Sequence, residues 1–134
     1  MKVSDVRVRT DDRYEFISIT DEVKKAVRES GVREGICLVS STHTTAAVTV
    51  NEDYDRDVPR DLAAACRAFV GSLDVRFEHA EGNSDSHLLT SLFGQSQRLL
   101  VRNGEPYLGR WQGVFLAEFD GPRSRTVRIA VYPA

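Results

Sequence analysis

The residues of this chain best suited to chemistry crowd into His79-Ala80-Glu81-Gly82-Asn83-Ser84-Asp85-Ser86-His87, which holds two of its three histidines. Imidazole is the side chain that most readily binds a transition metal or moves a proton near neutral pH. Whether the two can cooperate depends on the path between them. Along a straight strand the rings would stand roughly 27 Å apart, at about 3.4 Å per residue, and along an unbroken helix roughly 12 Å apart. The chain must therefore fold back for both to reach one ion, and Gly82 and Asn83, which tolerate positive φ, are the expected place. Beyond them, Asn83 or Ser84 can cap a helix whose apolar residues Leu88, Leu89, Leu92 and Phe93 recur at helical spacing. His87 then falls in the first turn, where the positive end of the helix dipole opposes a second positive charge. The free N–H groups there, with the hydroxyls of Ser84 and Ser86, suit an anion such as phosphate. Two readings stand: a metal site beside an anion cradle, or a capped surface helix with two incidental histidines.

The third histidine, His43, lies in Ser41-Thr42-His43-Thr44-Thr45, at the end of a short apolar run from Ile36 that reads as a buried strand. From there His43, Thr45, Ala47, Thr49 and Asn51 fall on one face, and Thr44, Ala46, Val48 and Val50 on the other. The first face lines a cavity, meets another subunit or faces solvent. If the strand is unbroken, His43 and Asn51 are roughly 27 Å apart, so a site using both needs a bend or a neighbouring copy. Asn51-Glu52-Asp53-Tyr54-Asp55 precedes a helix expected over 57–70, with Pro59 in its first turn and Leu62, Ala65, Cys66 and Phe69 inward. Acids suit a helix start, and the oxygens of Asn51 and Glu52 could also hold magnesium carried by a substrate phosphate.

Near the C-terminus, Gly109-Arg110-Trp111-Gln112-Gly113 leads into a strand that ends at Glu118-Phe119-Asp120-Gly121-Pro122-Arg123. A carboxylate in so apolar a strand is costly unless paired, so Glu118 is either in a buried ion pair, with an arginine of the last strand as partner, or at a working site. Arg123 and Arg125 sit at the following turn, placed to bind an oxyanion bidentately.

The remaining elements form the frame. Val3, Val6 and Val8 mark a first strand, with Phe16 to Ile19 as its expected hairpin partner across Asp11-Asp12. Thr20 reads as the cap of a helix with Val23, Ala26 and Val27 on one face and Gly31 at its end. Residues 97–102 form a strand that turns at Asn103-Gly104, and 126–132 form the last strand. No regular βαβ alternation is present, so the expected fold is a single α+β domain over residues 1–134, mostly antiparallel sheet with covering helices.

Composition excludes several classes of function. The chain has 134 residues, is 41% hydrophobic and 28% charged, and carries a net charge of −2 with both signs interleaved. That balance leaves no electrostatic footprint for nucleic acid or a membrane surface. No apolar run reaches the roughly 20 residues of a membrane span, and the charged N-terminus lacks a signal-peptide core, so a cytoplasmic location is expected. Cys37 and Cys66 lie far apart in apolar surroundings and read as reduced core thiols.

Three blocks resemble the YjbQ-like proteins, a family to which secondary thiamine-phosphate synthase activity is assigned. They are Ser41 to Ala46 running on to Asn51-Glu52; His79 with Asn83 and His87; and Leu108 to Gln112 followed by Glu118 to Arg123. The resemblance implies a compact α+β subunit, a homotrimer, and a pocket near the subunit contacts. In that pocket His43, His79 and His87 would bind a divalent metal, zinc or similar. Glu118 and Arg123 would carry the catalysis, and Asn51, Glu52, Asn83, Ser84, Gln112 and Arg123 would bind a small phosphorylated substrate. The implied reaction joins hydroxymethylpyrimidine diphosphate to a thiazole phosphate and releases pyrophosphate. Three imidazoles form a softer site than the oxygen ligands that usually hold magnesium on a pyrophosphate, and they suit activation of water. Hydrolysis of a small phosphate ester is therefore the alternative reaction, and a non-catalytic trimeric ligand-binding protein the alternative role.

Overall fold

The computed structural model describes residues 1–134. β1 (Lys2–Arg9) alternates as its valines require, and it pairs antiparallel with β8 (Ser124–Pro133), Val6 lying opposite Val127. β2 (Glu15–Ser18) is not its hairpin partner: it pairs with β7 (Gln112–Glu118) in a different sheet. The two faces of β2 reach different clusters: Ile17 packs toward the cluster that holds Val8, whereas Phe16 turns to the other, where its ring lies 5.6 Å from Phe93 and 6.0 Å from Phe119. The polar residues between the two strands form a bend that carries the chain from one layer to the next.

α1 (Thr20–Ser30) buries Val23, Ala26 and Val27 and ends at Gly31, as its periodicity predicts. Thr20 is the first helical residue rather than the cap. Its hydroxyl donates to the Asp53 carboxylate at 2.6 Å and accepts the Val114 N–H at 3.0 Å, tying the helix to the start of β7. β3 (Gly35–Ser41), β4 (Ala46–Glu52), α2 (Asp57–Gly71), α3 (Ser84–Phe93), β5 (Ser96–Arg102) and the short β6 (Glu105–Pro106) complete the chain before β7.

The strands form two antiparallel sheets, ordered β1-β8-β3-β5-β6 and β2-β7-β4. They share the larger core, in which Val39, Val127 and Ile129 of the first sheet meet Val48, Val114 and Leu116 of the second, with α1 alongside. The opposite face of the small sheet carries Phe115, Ala117 and Ala47, and it is covered by Cys66 and Leu62 of α2 and Leu89 and Phe93 of α3. Both faces of β7 are therefore buried. On α2 the inward residues are Leu62, Ala63, Cys66 and Val70; Ala65 is exposed and Phe69 is 45% exposed, so the expected inward stripe is rotated. No helix is long and apolar enough to cross a membrane.

Candidate functional site

The polar turn after β3 interrupts the strand expected from His43 to Asn51, and β4 begins only at Ala46. The turn is sewn to the start of β8: the Thr126 N–H donates to His43 Nε2 at 2.8 Å, and the Thr42 hydroxyl donates to the Thr126 carbonyl at 3.0 Å. The His43 N–H donates to Ser41 Oγ at 3.1 Å. Burial, reinforced by the nearby Arg125 and Arg123 and only partly opposed by Glu118, lowers the basicity of the His43 ring.

The reversal before α3 occurs where the glycine permits it. Gly82 has φ 68°, and its N–H donates to the His79 carbonyl at 3.1 Å, returning His79 toward the helix. The rings of His79 and His87 then meet edge-on with centroids 5.6 Å apart. Asn83 occupies the cap position without a capping bond; its amide instead donates to Asp120 Oδ2 at 2.9 Å. Asp120 also accepts from Arg123 Nη2 at 3.0 Å, while Arg123 Nε donates to the Asp120 carbonyl at 2.8 Å and Nη1 keeps its hydrogens free. The turn holding Arg123 lies tight against the chain before β2, since a Cβ on Gly121 would collide with the Asp12 carbonyl oxygen.

These segments enclose a cleft of about 400 Å³ with no apolar lining residue, to which His43, His79, His87, Asn83, Asp120 and Arg123 all contribute. A second polar cleft of about 460 Å³ shares His43, Thr44 and His87 and continues over Thr90, Ser91 and Gln95. Beneath them lies a buried charge network. Glu118 is 0% exposed and Arg125 3% exposed. Arg125 Nε donates to Glu118 Oε1 at 2.8 Å, and its Nη2 donates to Glu118 Oε2 at 2.5 Å and to Thr45 Oγ1 at 2.8 Å; the Thr10 hydroxyl and the N–H groups of Phe119 and Asp120 also donate to the Glu118 carboxylate. Glu118 is thus the paired carboxylate of the two sequence alternatives, and its oxygens are filled by five donor groups of the chain. It lies under the cleft, where it fixes Arg125 and the Thr45 turn, and presents no free oxygen to a substrate.

The fit to a metal is uneven. Two imidazoles on one tetrahedral ion, with metal–nitrogen bonds of about 2.1 Å, have centroids about 5 Å apart, close to the spacing of His79 and His87. His43 differs, because its Nε2 is occupied by the Thr126 amide. No three His, Cys, Asp or Glu side chains stand together as a metal cage in their present positions. His79 and His87 are the pair able to hold an ion, and a third imidazole would join only by giving up its backbone bond.

The other expected site residues divide. Asn83 and Arg123 line the cleft, whereas Ser84 does not. Asn51, Glu52 and Gln112 lie at the other end of the small sheet, where Asn51 pairs with Gly113 and Glu52 with Gln112. That end is about 20 Å along β4 from Ala46. There Tyr54 and Trp111 pack edge-on at 4.8 Å, with the Arg110 guanidinium 4.7 Å from the Trp111 ring centre. Two features escape sequence reasoning. Asp120 was legible only as part of a turn, and Asp85 only as an acid in a first helical turn. In the fold Asp85 receives two 2.9 Å bonds from Arg13 Nη2 and one from the Tyr14 hydroxyl, clamping the start of α3 to the segment before β2. Burial, with the bond to Asp85, pushes the Tyr14 hydroxyl up to about 12.

The family model described as UPF0047 protein YjbQ-like matches residues 4–134. The chain belongs to the YjbQ family. A UPF0047 protein of Methanocaldococcus jannaschii is 40% identical over 125 residues, covering 93% of this chain and 90% of its own length. The UPF0047 protein YugU of Bacillus subtilis is 40% identical over 124 residues, covering 92% and 94% respectively. Among solved structures, a YjbQ/UPF0047 protein of Clostridium acetobutylicum is 42% identical with a TM-score of 0.92, covering 96% of this chain and 99% of that one. A Sulfolobus solfataricus protein, described as of unknown function, is 32% identical with a TM-score of 0.92, covering 99% and 97%. The YjbQ likeness therefore extends through all three sequence blocks and the whole α+β fold.

Proposed function

We propose that the cleft between the His43 turn, the start of α3 and the Arg123 turn is the active site of a metal-dependent enzyme acting on a small phosphorylated substrate. The observation that carries this reading is the convergence of all three histidines and Arg123 on one cleft without an apolar lining residue. The free Nη1 of Arg123 offers paired N–H donors to a phosphate oxygen. Asn83 Oδ1 is buried without a partner in the same wall, an acceptor left over for a donor group of a ligand. The chemistry supplied by a divalent ion at His79 and His87 is polarisation of a phosphoryl oxygen. The reaction implied by the family resemblance is thiamine-phosphate formation from hydroxymethylpyrimidine diphosphate and a thiazole phosphate. In a homotrimer, Asn51, Glu52 and Gln112 would reach such a substrate from a neighbouring protomer.

The nitrogen-rich wall favours a second reaction, hydrolysis of a single phosphate ester, because paired imidazoles suit zinc better than the magnesium that accompanies pyrophosphate. Purified protein supplied with both thiamine precursors, and separately with a panel of phosphate esters with and without zinc, discriminates the two. Product formation that requires both precursors supports the synthase. Release of phosphate from one ester supports the hydrolase. His79→Ala and His87→Ala are expected to abolish either, and unchanged turnover in both variants would remove the site. No turnover on any substrate, with chelation lowering thermal stability, would leave a ligand-binding protein.

A further inference from the structure

The His43 ring is held differently from those of His79 and His87. Its Nε2 accepts the Thr126 backbone N–H at 2.8 Å. A ring nitrogen that accepts carries no proton, and a neutral imidazole has one N–H to place, so the proton sits on Nδ1. Nδ1 has no partner within the chain and is not among its buried unpartnered atoms, so this N–H remains open at the cleft wall. A protonated ring nitrogen has no lone pair for a metal. By contrast, the nitrogens of His79 and His87 are free of backbone bonds, the nearest carboxylate approach being 4.0 Å between His79 and Glu81.

The cleft offers further donors beside the carboxylates of Glu81 and Asp120 that also line it. The backbone N–H groups of Thr44 and Thr45 in the same turn have no acceptor in the chain. Arg123 Nη1 is free on the same cleft, and His43 forms part of both clefts. We infer that His43 does not ligate the ion but donates from Nδ1 to a phosphoryl oxygen of the substrate, at the boundary between the two clefts. A donor locked in place by Thr126 binds an oxyanion without reorganisation. The inference rests on the phosphorylated-substrate reading and divides that substrate. Its phosphate lies with Arg123 and His43, and its uncharged hydrogen-bonding remainder lies over Thr44, Thr90, Ser91 and Gln95, none of which carries a charge.

Long-range proton–nitrogen correlation of the histidine rings in the intact protein at neutral pH tests the assignment directly. The expected result is His43 protonated on Nδ1, with its ring signals unmoved by zinc while those of His79 and His87 shift. A His43 ring protonated on Nε2, or one that follows a zinc titration with the other two, overturns the inference. Binding of inorganic phosphate is the second arm. His43→Asn keeps an N–H donor bonded to Cγ and should hold phosphate within about threefold of the natural protein, whereas His43→Leu should lose about tenfold. Equal phosphate affinity in the leucine variant would also defeat the inference, and a melting curve of each variant verifies folding. These readouts need no turnover, so a protein that binds phosphate through His43 yet converts nothing would sink the enzyme reading and leave this one standing.

Discussion

The two ends of the β4–β7 pair are built in opposite ways. At the Ala46 and Glu118 end, the turn after β3, the start of α3 and the Arg123 turn cross over the strand ends and tie their polar groups to one another. At the Glu52 and Gln112 end, the side chains stand outward: Trp111 is 46% exposed and Tyr54 77% exposed. Both ends carry residues from the blocks that resemble the family, yet only the first encloses a cleft around its histidines. Polar residues become a site where several segments fix them in place. At the opposite end of the strand pair they form an exposed surface.

The sharpest break in this contrast is to remove the charge under the cleft. Glu118→Leu leaves Arg125 buried without its carboxylate, so urea unfolding should show a loss of about 3–5 kcal/mol. Pairing it with Arg125→Met should recover much of that loss, because the stranded charge is gone. Next in size, His79→Ala should weaken zinc binding at least tenfold, about 1.4 kcal/mol or more, while Trp111→Ala leaves it unchanged; calorimetric titration measures both. An equal loss in the tryptophan variant would mean that the open end also helps to hold the ion. Gly82→Ala forces a side chain into left-handed backbone, and a stability loss of about 1–2 kcal/mol is expected by the same unfolding assay.

Acid dependence sharpens the comparison further. Burial of Asp85 opposes its ionisation, but the Tyr14 hydroxyl and Arg13 outweigh it and hold the carboxyl below its ordinary value. The folded state therefore releases this proton more readily than the unfolded state. The resulting stability is present above the unfolded carboxyl value of about 3.9 and is lost as pH falls through the lower folded value. Asp85→Asn should remove that slope in a series of unfolding curves taken from neutral to acid pH. The smallest effect is expected at the open end, where Trp111→Ala should change unfolding stability by no more than about 0.5 kcal/mol.

How far the sequence could be read follows the same division. The helices were legible because Val23, Ala26 and Val27 in α1, and Leu89 and Phe93 in α3, recur on one face; Leu92, expected with the α3 residues, is instead 62% exposed. The Gly82 reversal followed from local backbone freedom, and the cost of an unpaired buried charge narrowed Glu118 to an ion pair or a working site without deciding between them. Alternation in β1 and β2 identified strands but carried no information about partners, so their assignment to separate sheets was out of reach. The outward turn of Phe69 depends on where α2 docks on the small sheet. The bond that sets the His43 ring comes from a backbone amide 83 residues away, and backbone amides carry no residue signature. Nothing in the spacing alone separated Asn51, Glu52 and Gln112 from the histidine cleft, since a bend and a straight strand were both open.

The two free cysteines give each apolar layer its own clock. Cys37 lies between the sheets and Cys66 on the buried face of α2. Burial pushes the Cys37 thiol up to about 11 and raises that of Cys66, so both are protonated and shielded while their layers stay closed. Alkylating reagents can then mark each one only during an opening event. Timed labelling of the native protein would rank the layers by how often they breathe, without any introduced probe.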